Sequence, residues 1–473
     1  MITSAISAMA RSRWWRVAFA VLVVWGALCV YGACVPIRFA AGQVYEPTCQ
    51  PVCMATAELN GDGRADLILP MRNGEVEIVL ATSSGTLYLS QTLKPNAINP
   101  WLDFSYHNYQ HVALADFNGD GVPDLCVMGS GRSQGREPTS ARPLRKDVIY
   151  MIPGTGLPPV AAKSRKEDAA APARCCFSTE APITTAVPEG HDLVAIQAGD
   201  FNGDGKQDLL VTLNPPQRHV ISYRVVVLHG RGDGTFQPPV EVMAGASGVP
   251  CVADFNGDGL PDIGCMCAGD YAMLHHEDYP IAILLGRAEK DGGRSFVLQR
   301  SMLQCAIDKR MLVACDLNGD GKTDILPATD NITSLFEGRG NGSFLAHGMA
   351  PRMDGGFLFC VADFNHDGKL DILTGSNGNK FWSGNIEIYC GFGDFSFRPV
   401  GPYVSGAALI TASPPPDKAH FRTWIVPKNV PEEAVAGDFD GDGRIDFAYR
   451  SCITSEIRVM KNVTGDWWRP ACR

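Results

Sequence analysis

One nine-residue pattern, D-x-N-x-D-G-x-x-D, recurs seven times along the chain, which makes the protein a repeat array. The copies start at Glu58, Asp116, Asp200, Asp254, Asp316, Asp363 and Asp438, roughly 63 residues apart on average. Representative stretches are "ADFNGDGVPDL" (115–125), "GDFNGDGKQDL" (199–209) and "GDFDGDGRIDF" (437–447). Apolar segments flank each copy, such as "HVALA" before it and "DLLVTL" after it, and they read as two buried strands joined by the acidic loop. A third strand follows some 15–20 residues later and ends in a glycine turn ("VVVLHGRGDGTF", "SLFEGRGNGSF", "IEIYCGFGDFSF"), and a fourth strand comes after it. One repeat is therefore a four-stranded antiparallel unit.

The loop chemistry suits a hard cation. Alternate oxygens, a glycine at the sharp turn and a further carboxylate are what Ca2+ needs to gather six to eight oxygen ligands. Position 1 is Glu58, Asp116, Asp200, Asp254, Asp316, Asp363 or Asp438. Position 3 is Asn60, Asn118, Asn202, Asn256, Asn318, Asn365 or Asp440. Position 5 is Asp62, Asp120, Asp204, Asp258, Asp320, Asp367 or Asp442. Position 7 offers only its carbonyl, so its side chain varies freely: Arg64, Val122, Lys206, Leu260, Lys322, Lys369 and Arg444. Position 9 is Asp66, Asp124, Asp208, Asp262, Asp324, Asp371 or Asp446. The pattern departs from an EF-hand, because the last acid falls at position 9 and the flanks are strand-like. Up to seven structural Ca2+ are expected. Charge count makes the last loop the tightest site, whereas Glu58 and the His366 at position 4 of the sixth copy mark weaker ones.

These loops and glycine turns resemble FG-GAP/VCBS repeats, the repeat of integrin α-chain propellers, over nearly all of the chain after its first residues. The resemblance implies an all-β, seven-bladed β-propeller with a calcium loop in each blade, spanning 34–473. Four strands per repeat agree with that count. The segment Ile37–Pro47 is expected to supply the missing outer strand of the last blade beside the C-terminus. In this arrangement the calcium loops and the third-to-fourth-strand turns share one face. The other connections lie opposite, and in integrin-like propellers that opposite face is the ligand face. Its long segments carry Trp101, Tyr106, His107, Tyr271, His275, His276, Trp382 and Trp424, the candidate ligand-binding residues.

Residues 1–33 form a signal peptide or membrane anchor: Arg11, Arg13 and Arg16 precede an apolar run to Val35. "YGAC" at 31–34 resembles a lipobox, cleavage after Gly32 is a second ending, and an uncleaved span is a third. Each places the body outside the cytoplasm, either secreted, periplasmic or at the cell surface. In that setting most of the 16 cysteines read as disulfides, with Cys49 and Cys53 near the start and Cys452 and Cys472 near the end as candidates for tying the termini together, or alternatively as small buried apolar residues. The formal net charge of -10 argues against a nucleic-acid partner. Pro153–Pro188, rich in Ala, Pro and charge, reads as a polar insertion.

The expected function is a surface binding or adhesion module for carbohydrate or protein, with membrane contact only through the N-terminal segment. A polysaccharide lyase or hydrolase on the same scaffold and a non-catalytic envelope scaffold are the alternatives. Ser133 in "GRSQG" lacks the strand–turn–helix context of a nucleophile elbow, and "RGD" at 231–233 belongs to a strand turn.

Overall fold

The computed structural model describes residues 37, 39–95, 112–131, 146–156, 176–178, 180–188, 191–214, 223–267, 279–288, 294–305, 311–328, 332–353, 356–376, 385–404, 409–411, 425–427, 431–451 and 454–464. The fold is all-β, and numbering the repeats by their motif copy describes it. Repeat 1 is a four-stranded antiparallel sheet of Ala55–Ala57, Asp66–Pro70, Val76–Ala81 and Leu87–Leu93. Repeat 2 holds Val112–Ala115, Asp124–Gly131, Lys146–Ile152 and Ile183–Ala186. Repeats 3, 4 and 5 share one eleven-stranded sheet. Repeats 3 and 4 are linked because Val240–Ala253 is a single strand of 14 residues that closes repeat 3 against Tyr223–Leu228 and opens repeat 4 against Asp262–Cys267, and repeat 5 joins through one parallel pair, Val249 with Met311. Repeat 6 holds Gly356–Ala362, Asp371–Ser376, Asn385–Gly391 and Phe397–Val404.

Repeat 7 is built from both ends of the chain. Pro431–Gly437, Asp446–Ser451 and Ile457–Asn462 pair in order, and Phe39–Tyr45 adds the fourth strand antiparallel to Ile457–Asn462, with Tyr45 opposite Ile457. Buried Glu77 of repeat 1 fixes the end of that strand: Tyr45 Oη donates to Glu77 Oε2 at 2.7 Å, and the Thr48 amide and hydroxyl donate to Oε1.

The packing explains why the second strand of each repeat is apolar at almost every position. Side chains alternate between the two faces of a strand, and both faces are covered here. In Asp66–Pro70, Leu67 and Leu69 pack against Phe439, Ala448 and Val459 of repeat 7, while Ile68 packs against Leu125 and Val127 of repeat 2. The same division continues along the chain. Ile149 meets Leu209 between repeats 2 and 3, Leu210 meets Ile263 between 3 and 4, and Ile283 meets Ile325 between 4 and 5. Leu326 meets Ile372 between repeats 5 and 6, and Leu373 meets Phe447 between 6 and 7. Each core thus lies between neighbouring repeats, in a propeller-like arrangement. Each fully buried Leu, Ile or Phe contributes about 1.5–3 kcal/mol.

Two expectations are corrected. Cys49, Cys126, Cys251, Cys265, Cys315 and Cys360 are thiols without disulfides. They lie in or against different inter-sheet cores, and burial pushes Cys251, Cys315 and Cys360 up to about 12, so they act as small apolar residues. Within 153–188, Cys176 and Phe177 are core residues and Ile183–Ala186 is a strand, so the insertion is narrower than its composition implied. Gln91 holds this end, donating to the Phe177 carbonyl at 2.7 Å and accepting its amide at 3.1 Å. Residues 1–33 lie outside the described residues.

Candidate metal centre

Each acidic loop is a set of nested turns made by its own carboxylates. In repeat 2, Asp116 Oδ1 accepts the amides of Gly119 (2.7 Å) and Asp120 (3.1 Å), and Oδ2 accepts that of Gly121 (2.8 Å). Asn118 Oδ1 accepts the Asp120 amide and Asp120 Oδ1 the Val122 amide, both at 2.8 Å. The scheme returns with small changes in the other loops, for instance at Asp254, Asn256 and Asp258, and at Asp316, Asn318 and Asp320. Glu58 is longer and accepts the amides of Asn60, Gly61 and Asp62 through Oε1 alone.

Position 4 requires φ near +75°, which glycine adopts freely. Gly119 has φ 77° and Gly203 has 76°, whereas His366 is held at 58° with an exposed ring. We expect His366→Gly to stabilise the protein by about 1 kcal/mol, because a strained non-glycine conformation is relieved and no packing is lost. A urea midpoint that stays level or falls on this substitution would count against the strain.

The position-9 aspartates do something the sequence did not show. All seven are fully buried. One oxygen accepts the amide of the position-2 residue, as Phe117 donates to Asp124 at 3.0 Å and Phe364 to Asp371 at 2.9 Å. The other accepts an amide at or just past the end of the third strand: Gly154 to Asp124, Gly391 to Asp371, Asn462 to Asp446. Position 9 is thus a staple between the acidic loop and the next turn. Burial, assisted by the neighbouring carboxylates, pushes Asp66, Asp371 and Asp446 up to about 7 and Asp262 up to about 6. Asp124 and Asp324 are raised by burial as well.

The position-2 residue is a second unread device. Phe117, Phe201, Phe255, Leu317, Phe364 and Phe439 are all buried. A phenylalanine of the next repeat often covers it edge-on: Phe236 on Phe117 (5.7 Å between centroids) and Phe344 on Phe255 (5.6 Å). The recurring Phe of "FNGDG" and of "GDGTF" was the available signal. Main-chain bonds follow the same path, with Gly234 donating to the Phe117 carbonyl and Gly342 to that of Phe255. The acidic loops therefore share a face with the third-to-fourth-strand turns, including the "RGD" turn, where Thr235 caps Asp233.

The donors fit a hard cation. In the last loop, one oxygen each of Asp438, Asp440 and Asp442 lie within 4.8 Å of one another. Positions 1, 3 and 5 offer only oxygens beside the position-7 carbonyl, the ligand chemistry Ca2+ takes. Positive side chains compete at position 5: Arg64 pairs with Asp62, Lys322 with Asp320 at 2.8 Å, and Arg444 with Asp442. The candidate ligand-binding residues Trp101, Tyr106, His107, Tyr271, His275, His276, Trp382 and Trp424 lie outside the described residues.

The profile of the FG-GAP-like repeat matches residues 58–127, 200–265 and 316–374. Each match opens on position 1 of one loop and runs through the next. The chain is an FG-GAP repeat protein. Among solved structures, this FG-GAP repeat protein is similar to BBS1N in complex with ARL6DN, soaked with mercury (TM-score 0.47, 10% identity, 90% of this chain and 98% of that one). A lead-soaked crystal of the same complex gives TM-score 0.43 at 10% identity, over 89% and 96% of the two chains. An Agrocybe aegerita lectin that recognises non-reducing terminal N-acetylglucosamine gives TM-score 0.40 at 18% identity, over 75% and 80%. No curated protein matches this FG-GAP repeat protein.

Proposed function

We propose that this chain is an exported, seven-bladed propeller, held in shape by calcium, that binds a carbohydrate or a surface protein. The single observation behind this reading is the division of its connections. The acidic loops and the strand turns are tied to one another on one face by the position-9 staples and by bonds such as Gly234 to Phe117. The other connections join the opposite ends of the strands, and in the sequence these stretches include Trp101, Tyr271 and Trp382. A rigid scaffold that presents variable loops is the usual architecture of a recognition surface. Aromatic rings there suit stacking on sugars or packing against a protein.

The seven loops, and cores that link repeat 6 to repeat 7 and repeat 7 to repeat 1, support a reading of seven blades. Calcium at positions 1, 3, 5 and 7 of each loop would neutralise carboxylates that otherwise crowd one turn. Position 9 would contribute through lone pairs not used by its two amide donors.

The test is to incubate the mature chain, in millimolar calcium, with a panel of soluble polysaccharides and with intact envelope proteins, following retention and fragment release. Retention of one ligand class without cleavage is the expected result. Release of fragments would make the protein an enzyme, and retention of nothing in either arm would remove the binding-module reading.

A further inference from the structure

Repeats 1 and 7 meet at a seam crossed by several hydrogen bonds. The Met54 amide donates to Glu433 Oε1 (3.0 Å), Thr56 Oγ1 to the Ala436 carbonyl (3.3 Å) and the Ala65 amide to the Asp438 carbonyl (2.8 Å). The last of these bonds joins the acidic loop of repeat 1 directly to that of repeat 7. Lys461, on Ile457–Asn462, lies across the same seam. Its Nζ is 3.4 Å from Asp440 Oδ2 and also donates to the carbonyl of Ser84, in the turn between the third and fourth strands of repeat 1. Gly85 leaves the space for it: at φ +71°, a Cβ there would come within 2.5 Å of Lys461 Cε and 3.3 Å of Asp440 Cβ.

Only the last loop has a carboxylate at position 3, so only there does a lysine so placed find an anion. In the same loop Arg444 pairs with Asp442 through two nitrogens. Two of its three gathered carboxylates therefore already face this chain's own cations. The pair is partly enclosed, with side-chain exposures of 25% for Lys461 and 16% for Asp440, so water screens it incompletely.

We infer that Lys461 is a built-in counter-ion that competes with metal for the last loop. The loop richest in acid is then the weakest calcium site of the ring, and its filling is coupled to the seam between the first and last repeats. A metal that takes Asp440 displaces Lys461 from it and loosens the lysine's hold on Ser84. Without metal, the same lysine neutralises the loop and clamps the seam. This rests on the reading of the loops as calcium sites.

The test compares wild type, Lys461→Met and Lys461→Arg in the mature chain, using calcium titration calorimetry and melting in EGTA and in saturating calcium. Lys461→Met is expected to tighten one binding step by about tenfold, with the gain shrinking at high salt. It is also expected to lower the melting temperature in EGTA but not in calcium, while Lys461→Arg behaves as wild type. On an Asp440→Asn background the same substitution should no longer move the affinity. A lysine that merely packs would lower both melting temperatures equally and leave every binding step unchanged, which overturns the inference while calcium binding stands. Failure of the wild type to bind calcium at any loop overturns both readings together.

Discussion

Transferred from millimolar calcium into excess EGTA, the mature chain should melt about 10 °C or more lower. A ligand that binds only the folded state stabilises it by about 2.7 kcal/mol per site at a hundred times its dissociation constant. Several filled loops together add an amount comparable to the roughly 5–15 kcal/mol by which most domains are stable. The structural reason is the crowding at each turn. Asp116, Asp120 and Asp124 stand within one nine-residue loop, and apart from amide donors and an occasional Arg or Lys nothing balances them. The loop keeps its shape through these amides, so the metal-free protein should remain folded at low temperature with a lower transition. The measurement is a pair of calorimetric scans on a calcium-loaded sample, one with EGTA and one without. Superimposed scans would remove calcium from the account of the fold.

Asp371→Ala should cost about 3–5 kcal/mol even in EGTA, whereas Asp367→Ala should cost less than about 1 kcal/mol under the same condition. Both residues belong to one acidic loop and look alike in the motif. Asp371 is fully buried and receives the amides of Phe364 and Gly391 at 2.9 Å each. Truncation strands both donors where water cannot replace the lost acceptor, at about 1–3 kcal/mol each. Asp367 is exposed at the turn and accepts the Lys369 amide, which solvent can satisfy in its place. In calcium the ordering should narrow, because Asp367→Ala then loses a ligand. Urea midpoints of the two variants in EGTA decide the matter: equal midpoints would mean that position 9 is a ligand and no staple.

That contrast marks the limit of what the sequence disclosed. The repeat, its four strands and the closing role of Phe39–Tyr45 were legible because each rests on local chemistry: positive-φ glycines, apolar strands on either side and one spare strand near the start. The staple at position 9 was not, since a ligand aspartate and a buried acceptor are the same letter. Nor was the pairing of Phe117 with Phe236, because the two belong to different repeats and meet only after the sheets pack. The cysteines were open to two readings for a related reason. An even number in an exported chain suggests bridges, yet Cys126 and Cys265 lie in different inter-sheet cores, with no bridge at either. Averaged composition hid Cys176 and Phe177, two core residues at the end of a polar stretch.

The pairing of Phe39–Tyr45 with Ile457–Asn462 also sets a condition on synthesis. Domains form from the N-terminus as the chain emerges, but this strand must wait for a partner made only after repeats 1 to 6. Until then its hydrogen-bonding edge is open to any other chain, a recognised route to aggregation. The wait itself adds little to the final free energy, since closing a loop costs only about 0.6 kcal/mol for each doubling of its length. It does make completeness a requirement. A product that stops short of Ile457 lacks the partner of Phe39–Tyr45, so this pairing registers whether synthesis has passed Ile457–Asn462.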